Sequence, residues 1–372
     1  MRGLAALIVV VFHARDSLWI GISNLWKQYG WNGGVNVWLG YLTLPFSYGD
    51  VAVTLFFVLS GYCIHRSGAE LIAKHGTESS LSWSDYVWRR FWRIYPTYVA
   101  ALIITGIVDV NAIPRLPQLA DLDVSMRTLF GNLLTLQNTI VRQFGSNSVF
   151  WSLAIEIHIY FVYPILFIGS KRFGPLRIIC VTLPIPIFLA LIEWVCFRSE
   201  VTVMTGKLYF FRFLSLWMLG FLAAEVQVGR LRNFVAPTWI GWLAFTGGMI
   251  LRVLHRSDTY ATFVLADLLL GVAFFYLTLH STSWSSNSFM GRPLRVAACL
   301  GTFSYSLYAV HRPVLLAFKA AVDPAGVNRA SLWFLFVGIV LAIAGGAVFY
   351  QVVERPALWV SKRLSFRGST SP

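Results

Sequence analysis

Apolar residues in this chain run in long blocks separated by short polar segments. Ten blocks of roughly helix-spanning length can be marked, at 3–20, 50–66, 87–108, 149–168, 176–196, 207–226, 234–251, 260–280, 297–318 and 331–352. A helix rising about 1.5 Å per residue needs about 20 mainly apolar residues to cross a hydrocarbon core about 30 Å thick. The pattern predicts an all-α, polytopic transmembrane bundle of about ten spans, forming one integral-membrane domain over 1–372. Two connecting segments are too long for simple turns. Residues 21–49 are rich in Trp, Tyr and Gly, and residues 109–148 carry Asp109, Asp121, Asp123 and Asn147. Rings beside amides and carboxylates suit stacking and hydrogen bonding to sugars, while an aromatic belt at the membrane interface would use the same residues.

Composition narrows the class. Hydrophobic residues make up 57% of the 372 positions and charged ones 12%, against about 45–50% and about 25% in soluble domains, which excludes a soluble enzyme and a disordered chain. The net charge of +14 does not form a separate basic domain, so no nucleic-acid partner is expected and the bilayer is the natural counterpart. An even number of spans puts both termini on one side. The clusters at 88–93, 170–174, 229–232 and 361–367 then fall on that side together, which predicts cytoplasmic termini in a multi-pass plasma (bacterial inner) membrane protein. The apolar run from Gly3 has no small-residue cleavage site followed by a soluble domain and is expected to be a retained span. Cys63, Cys180, Cys196 and Cys299 lack paired spacing and are expected to be buried small hydrophobes. No His/Asp/Cys cluster has ligand spacing, so no metal is expected.

Ionisable groups at membrane depth are costly and become candidates by default. Arg2 and His13 are eleven residues apart, about three turns plus 20°, and so share one helical face about 16 Å apart along the axis. Along 151–164, Glu156 shares a face with Ser152, Tyr160 and Tyr163, whereas His158 points elsewhere. Glu156 and His13 lie at similar depth, about 10 Å from the outer ends of their spans, so they are expected to meet, with the carboxylate orienting the histidine. The alternative is an unrelated structural hydrogen bond from Glu156 to a neighbouring span. Arg90 and Arg93, three apart, suit a bidentate grip on phosphate or pyrophosphate oxygens, or a positive-inside anchor. Along 304–314, His311, Tyr308 and Ser304 share a face and form a further candidate group.

Six segments in order then carry a resemblance: residues 2–13, 55–64, 89–98, 151–164, 304–314 and 351–356. Together they resemble the acyltransferase 3 family of integral-membrane acyltransferases, which modify O-antigens, exopolysaccharides, Nod factors, peptidoglycan and some antibiotics. The family's first-span arginine and histidine are matched by Arg2 and His13, its Arg-x-x-Arg pair by Arg90 and Arg93, and its Trp-Ser-Leu then Glu pattern by Trp151, Ser152 and Glu156. Arg2 follows the first residue directly, where family members usually carry several residues before it. No fused esterase-like domain is recognised, so a stand-alone transferase or one with a separate partner is expected.

The resemblance implies cytoplasmic acyl-CoA, acetyl-CoA above all, as donor and an extracytoplasmic carbohydrate or glycolipid as acceptor. With that chemistry, His13 and Glu156 are expected in catalysis, Arg2, Arg90 and Arg93 at the donor, and Ser152, Trp151, Tyr160 and His311 in substrate binding. Neutral His13 could act as a base on the acceptor hydroxyl or form an acyl-histidine intermediate, and both routes stay open. Homo-oligomerisation is also left open. The competing reading is a transporter or flippase for a glycolipid or acylated sugar, using the same intramembrane charges; internal repeats, its expected sign, are not visible.

Overall fold

A computed structural model describes residues 1–19, 21–30, 32, 34–197, 205–231, 237–254, 260–281, 291–325 and 331–367. Among them there is no β-strand. The helices in chain order are α1 (Arg2–Leu18), α2 (Ile22–Tyr29), α3 (Val35–Leu42), α4 (Asp50–His75), α5 (Trp83–Ala112), α6 (Met126–Leu133), α7 (Phe150–Phe173), α8 (Pro175–Thr182), α9 (Ile185–Phe197), α10 (Thr205–Gln227), α11 (Thr238–Leu254), α12 (Tyr260–Ser281), α13 (Gly291–Thr302), α14 (Ser304–Val322), α15 (Leu332–Phe349) and α16 (Arg355–Arg367). A π-helical turn, Tyr350–Glu354, joins α15 to α16.

The all-α polytopic architecture stands. Seven helical stretches among the described residues are long and apolar enough to cross a membrane, or eight if the bent pair Arg2–Leu18 and Ser23–Tyr29 is one span. Sequence reading marked ten blocks. The block at 297–318 is divided between α13 and α14, which meet at Phe303. The block starting at 234 corresponds to α11, a shorter apolar helix, and its first residues lie outside the described ones. The segment 21–49 contains α2, α3 and a 3-10 turn at Leu44–Tyr48 rather than an open loop. The cysteine expectation is corrected: Cys63, Cys180 and Cys299 are exposed on the protein surface. In a bilayer such positions can face lipid, where a small apolar thiol needs no protein cover. The side chain of Cys196 lies outside the described residues. Lipid-facing stripes account for other exposed apolar residues, such as Ile103, Ile107 and Val110 along α5, which lie one turn apart on one face.

The chain folds as two compact units. The first comprises Met1–Ala52, Ser84–Ala154 and Pro293–Pro372. In it α1 packs on α14 and α15, and α14 packs along α15. Close approach requires missing side chains: a Cβ on Gly346 of α15 would lie 2.8 Å from the Leu307 backbone of α14. The second unit comprises Val53–Trp83 and Ile155–Arg292. There α12 packs against α9, α10 and α11. Gly61 of α4 and Gly220 of α10 face each other's backbones, so that a Cβ on either would strike the carbonyl of Trp217 or Val58. This is the small-residue contact by which membrane helices gain van der Waals packing. Gly174, at φ +84°, turns the chain out of α7 in a conformation that disfavours side chains, and Pro175 then opens α8 where its missing N–H costs nothing.

Candidate active site

In the first unit, α1 and α14 bring two histidines together that are 298 positions apart. The Nδ1 of His13 lies 2.8 Å from the Nε2 of His311. His311 is fully buried, and its Nδ1 lies 2.8 Å from the Tyr308 carbonyl and 3.1 Å from that of Leu307. Among the described residues, the Nε2 of His13 has no hydrogen-bond partner. A single imidazole nitrogen on a partly exposed residue is therefore available for chemistry.

The surroundings of His311 are built from α14 itself. Pro313, inside the helix, has no N–H and so leaves the Ala309 carbonyl, four residues back, without its helical donor. The buried Asn147 supplies the replacement, donating to Ala309 O at 2.9 Å and to Thr105 Oγ1 at 3.1 Å. The preceding turn is held by Asp109, which accepts from the N–H and hydroxyl of Ser146 at 2.7 and 2.6 Å. Arg312 reaches Ser146 O at 3.4 Å and Asp16 of α1 at 3.6 Å. The segment 109–148 thus ties α5 to α14 beside the histidine pair, a role that its composition alone did not disclose.

One turn before His311, Tyr308 lies 2.6 Å from the hydroxyl of Ser152, which itself donates to Val149 O at 2.9 Å. With Ser152 committed as a donor to that carbonyl, the Tyr308 hydroxyl donates to Ser152. The Trp151 carbonyl accepts from Asn138 at 2.9 Å. Asn138, at φ +88°, and Thr135, at φ +57°, are strained non-glycine positions. They lie in the loop that covers the start of α7, as strained backbone often does near functional sites.

The cationic candidates also belong to the first unit. Glu354, at the end of the π-helical turn, is almost fully buried and accepts from the N–H and hydroxyl of Ser306 at 3.1 and 2.5 Å. Arg93 and Arg2 both lie within electrostatic reach of it. Two of the three arginines assigned to a donor therefore act electrostatically on one carboxylate. Arg90 instead lies over the Tyr86 ring, 5.7 Å from its centroid. Glu354 has no role in the sequence reading; it lies two residues past the apolar block at 331–352, and an acid at the edge of a span was the available signal.

Glu156 lies on α7 in the second unit, where it accepts from Tyr160 at 2.5 Å and Ser60 at 3.0 Å. The bond to Ser60 on α4 is of the kind named as the alternative to a His13 partner, a hydrogen bond to a neighbouring span. Two further charged groups in this unit escaped the sequence reading. His65 lies 2.7 Å from Glu225, which also binds Arg230 at 2.6 Å and Ser170 at 3.0 Å. Asp267 of α12 holds Arg212 of α10 at 2.5 Å and Arg252 of α11. Among the described residues, no three His, Cys, Asp or Glu side chains form a group that could hold a metal ion.

Comparison with known proteins adds sequence relatives, and no solved structure matches. YrhL of Bacillus subtilis (strain 168) is 23% identical over 335 residues, covering 83% of this chain and 50% of that protein. The acyltransferase MdmB of Streptomyces mycarofaciens is 24% identical, with 83% and 81% covered. The peptidoglycan O-acetyltransferase OatA of Listeria monocytogenes serovar 1/2a (strain ATCC BAA-679 / EGD-e) is 22% identical, with 83% and 51% covered. The chain thus spans about half the length of YrhL and OatA. A family model described as an acyltransferase domain matches residues 1–351, a range that contains every site residue expected from the sequence and ends just before Glu354, and the chain belongs to that acyltransferase family.

Proposed function

We propose that this chain is a membrane-embedded O-acyltransferase, moving an acyl group, acetyl above all, from cytoplasmic acyl-CoA to a hydroxyl of an extracytoplasmic carbohydrate or glycolipid. The observation that carries this reading is His13, an intramembrane imidazole with one ring nitrogen bound to His311 and the other without a partner among the described residues. Family membership supplies the reaction class, and the printed name of OatA, a peptidoglycan O-acetyltransferase, supports a carbohydrate acceptor.

The chemistry follows from that lone pair. His13 Nε2 takes the proton of the acceptor hydroxyl as the oxygen attacks the thioester carbonyl. The carbonyl carbon–sulfur bond then breaks, and the departing thiolate recovers the proton from the imidazolium, giving ester and free CoA. Attack by Nε2 itself, forming an acyl-histidine that the acceptor hydroxyl opens, would use the same nitrogen. Arg2, Arg90 and Arg93 hold the donor's phosphates, with Glu354 restraining the first and last of them. Trp151 offers an aromatic face for a sugar ring. Support of the His13 cation by Glu156 is part of the proposal on the chemistry of the residue alone.

The test uses membranes containing the protein, acetyl-CoA labelled in its acyl group, and a glycan acceptor. Wild type should consume label only when acceptor is present. His13→Ala, inserted at normal level, should lose about 10² to 10⁴ in rate, the usual worth of a positioned base. A transporter would leave acetyl-CoA intact, and an unimpaired His13→Ala would remove the residue from the chemistry.

A further inference from the structure

Resting on the assignment of His13 as the base, we propose that His311 is a positioning residue that holds His13 in its Nδ1–H tautomer and thereby bares Nε2 to the acceptor hydroxyl. The Nδ1 of His311 faces two backbone carbonyls, at 2.8 and 3.1 Å, and carbonyl oxygens only accept. That nitrogen therefore carries hydrogen. In a neutral imidazole the second nitrogen is then an acceptor, and the 2.8 Å contact with His13 must be supplied by a hydrogen on His13 Nδ1. The hydrogen of neutral His13 is thus spent on His311, and its Nε2 keeps a free lone pair.

A doubly protonated His311 would reverse the pair, with the hydrogen of His13 moved to Nε2 and the base lost. That arrangement would bury a second cation completely, beside the Arg312 guanidinium. No carboxylate bonds to His311 among the described residues, and an unpaired buried charge is heavily penalised. An unconstrained histidine side chain prefers the Nε2–H form, the wrong one for this role. Which ring nitrogen is free is set by what the other is bonded to, and here that partner lies on a different helix. After proton transfer the same contact persists, because the His13 imidazolium still donates from Nδ1 to His311. His311 therefore supplies the orientation and tautomer control that a carboxylate supplies in a serine-protease triad.

Nitrogen-15 spectra of histidine-labelled protein read the tautomer directly, with the His13 signals identified by their loss in His13→Ala. Wild type should show Nδ1 protonated and Nε2 bare, and the opposite assignment would overturn the proposal. His311→Leu removes the acceptor. It should lower kcat by about 10² to 10⁴, as loss of a base or of its tautomer does, while KM for acetyl-CoA stays within about threefold. His311→Gln, whose carboxamide oxygen reaches the place of Nε2, should keep at least about a tenth of wild-type kcat. His311→Asn reaches only the place of Nδ1 and should not. Equal activities of the Gln and Asn variants would sink the idea even if the Leu variant failed to fold. Near-wild-type kcat in folded His311→Leu together with an inactive His13→Ala would dismiss His311 and leave the base in place; activity in His13→Ala would dismiss the underlying reading.

Discussion

Asp267 is nearly inaccessible and neutralises two guanidiniums at once, Arg212 and Arg252. A buried ion group adds little net stability over an apolar one, but removing a single partner strands the others. Asp267→Asn should therefore destabilise the protein by about 3–5 kcal/mol, read as a lowered midpoint of thermal unfolding in detergent. An unchanged midpoint would mean that the two arginines find other acceptors. At this scale the sequence was half legible. Arg2, His13, Arg93 and His311 stood out because ionisable groups are rare in apolar spans, and each lies in the first unit beside a charged or imidazole neighbour. Asp267 carried the same signal. Its partners, 55 and 15 positions away, could not be named, since periodicity orders residues on one helix and says nothing about which helices are neighbours.

Helix existence was read from length and hydropathy with little loss: the block at 260–280 became α12 at Tyr260–Ser281, and that at 207–226 became α10 at Thr205–Gln227. Breaks were harder. Phe303 separates α13 from α14 within one continuous apolar block, with no proline or glycine at that position to announce it. Proline misleads in the other direction, since Pro96, Pro164 and Pro313 all lie inside helices. Membrane helices tolerate this when another group satisfies the freed carbonyl, as Asn147 does for Ala309. Helix pairing depends on glycines that look unremarkable in sequence. Gly220→Ala would place a methyl group on the Val58 carbonyl of α4, where backbone rather than a flexible side chain must yield. It should destabilise by about 1–3 kcal/mol or more, the usual cost of overpacking. Gly247→Ala, whose nearest neighbour would be a side-chain methyl at 3.6 Å, should be nearly silent in the same unfolding experiment.

For the whole molecule, membrane residence and reaction class rest on different footings. The first follows from composition and from the apolar stripes on the helices. The second follows from family membership, and the mechanism proposed for it from one imidazole nitrogen without a partner among the described residues. The fold supplies what the sequence could not: the contact of His13 with His311 on a helix remote in the chain, and a turn from segment 109–148 bracing that helix. The two long connecting segments suit sugar contacts or an interfacial aromatic belt by composition, and in one of them, 109–148, the structure shows this bracing task. On the reading proposed above, the chain esterifies glycan hydroxyls through His13. Its most direct test is mass spectrometry of surface glycans from otherwise identical cells carrying wild type, His13→Ala or no copy of the chain. The account predicts an alkali-labile acyl mass increment with wild type and its absence from the other two. The same increment in all three, or in wild type and His13→Ala alike, would contradict it.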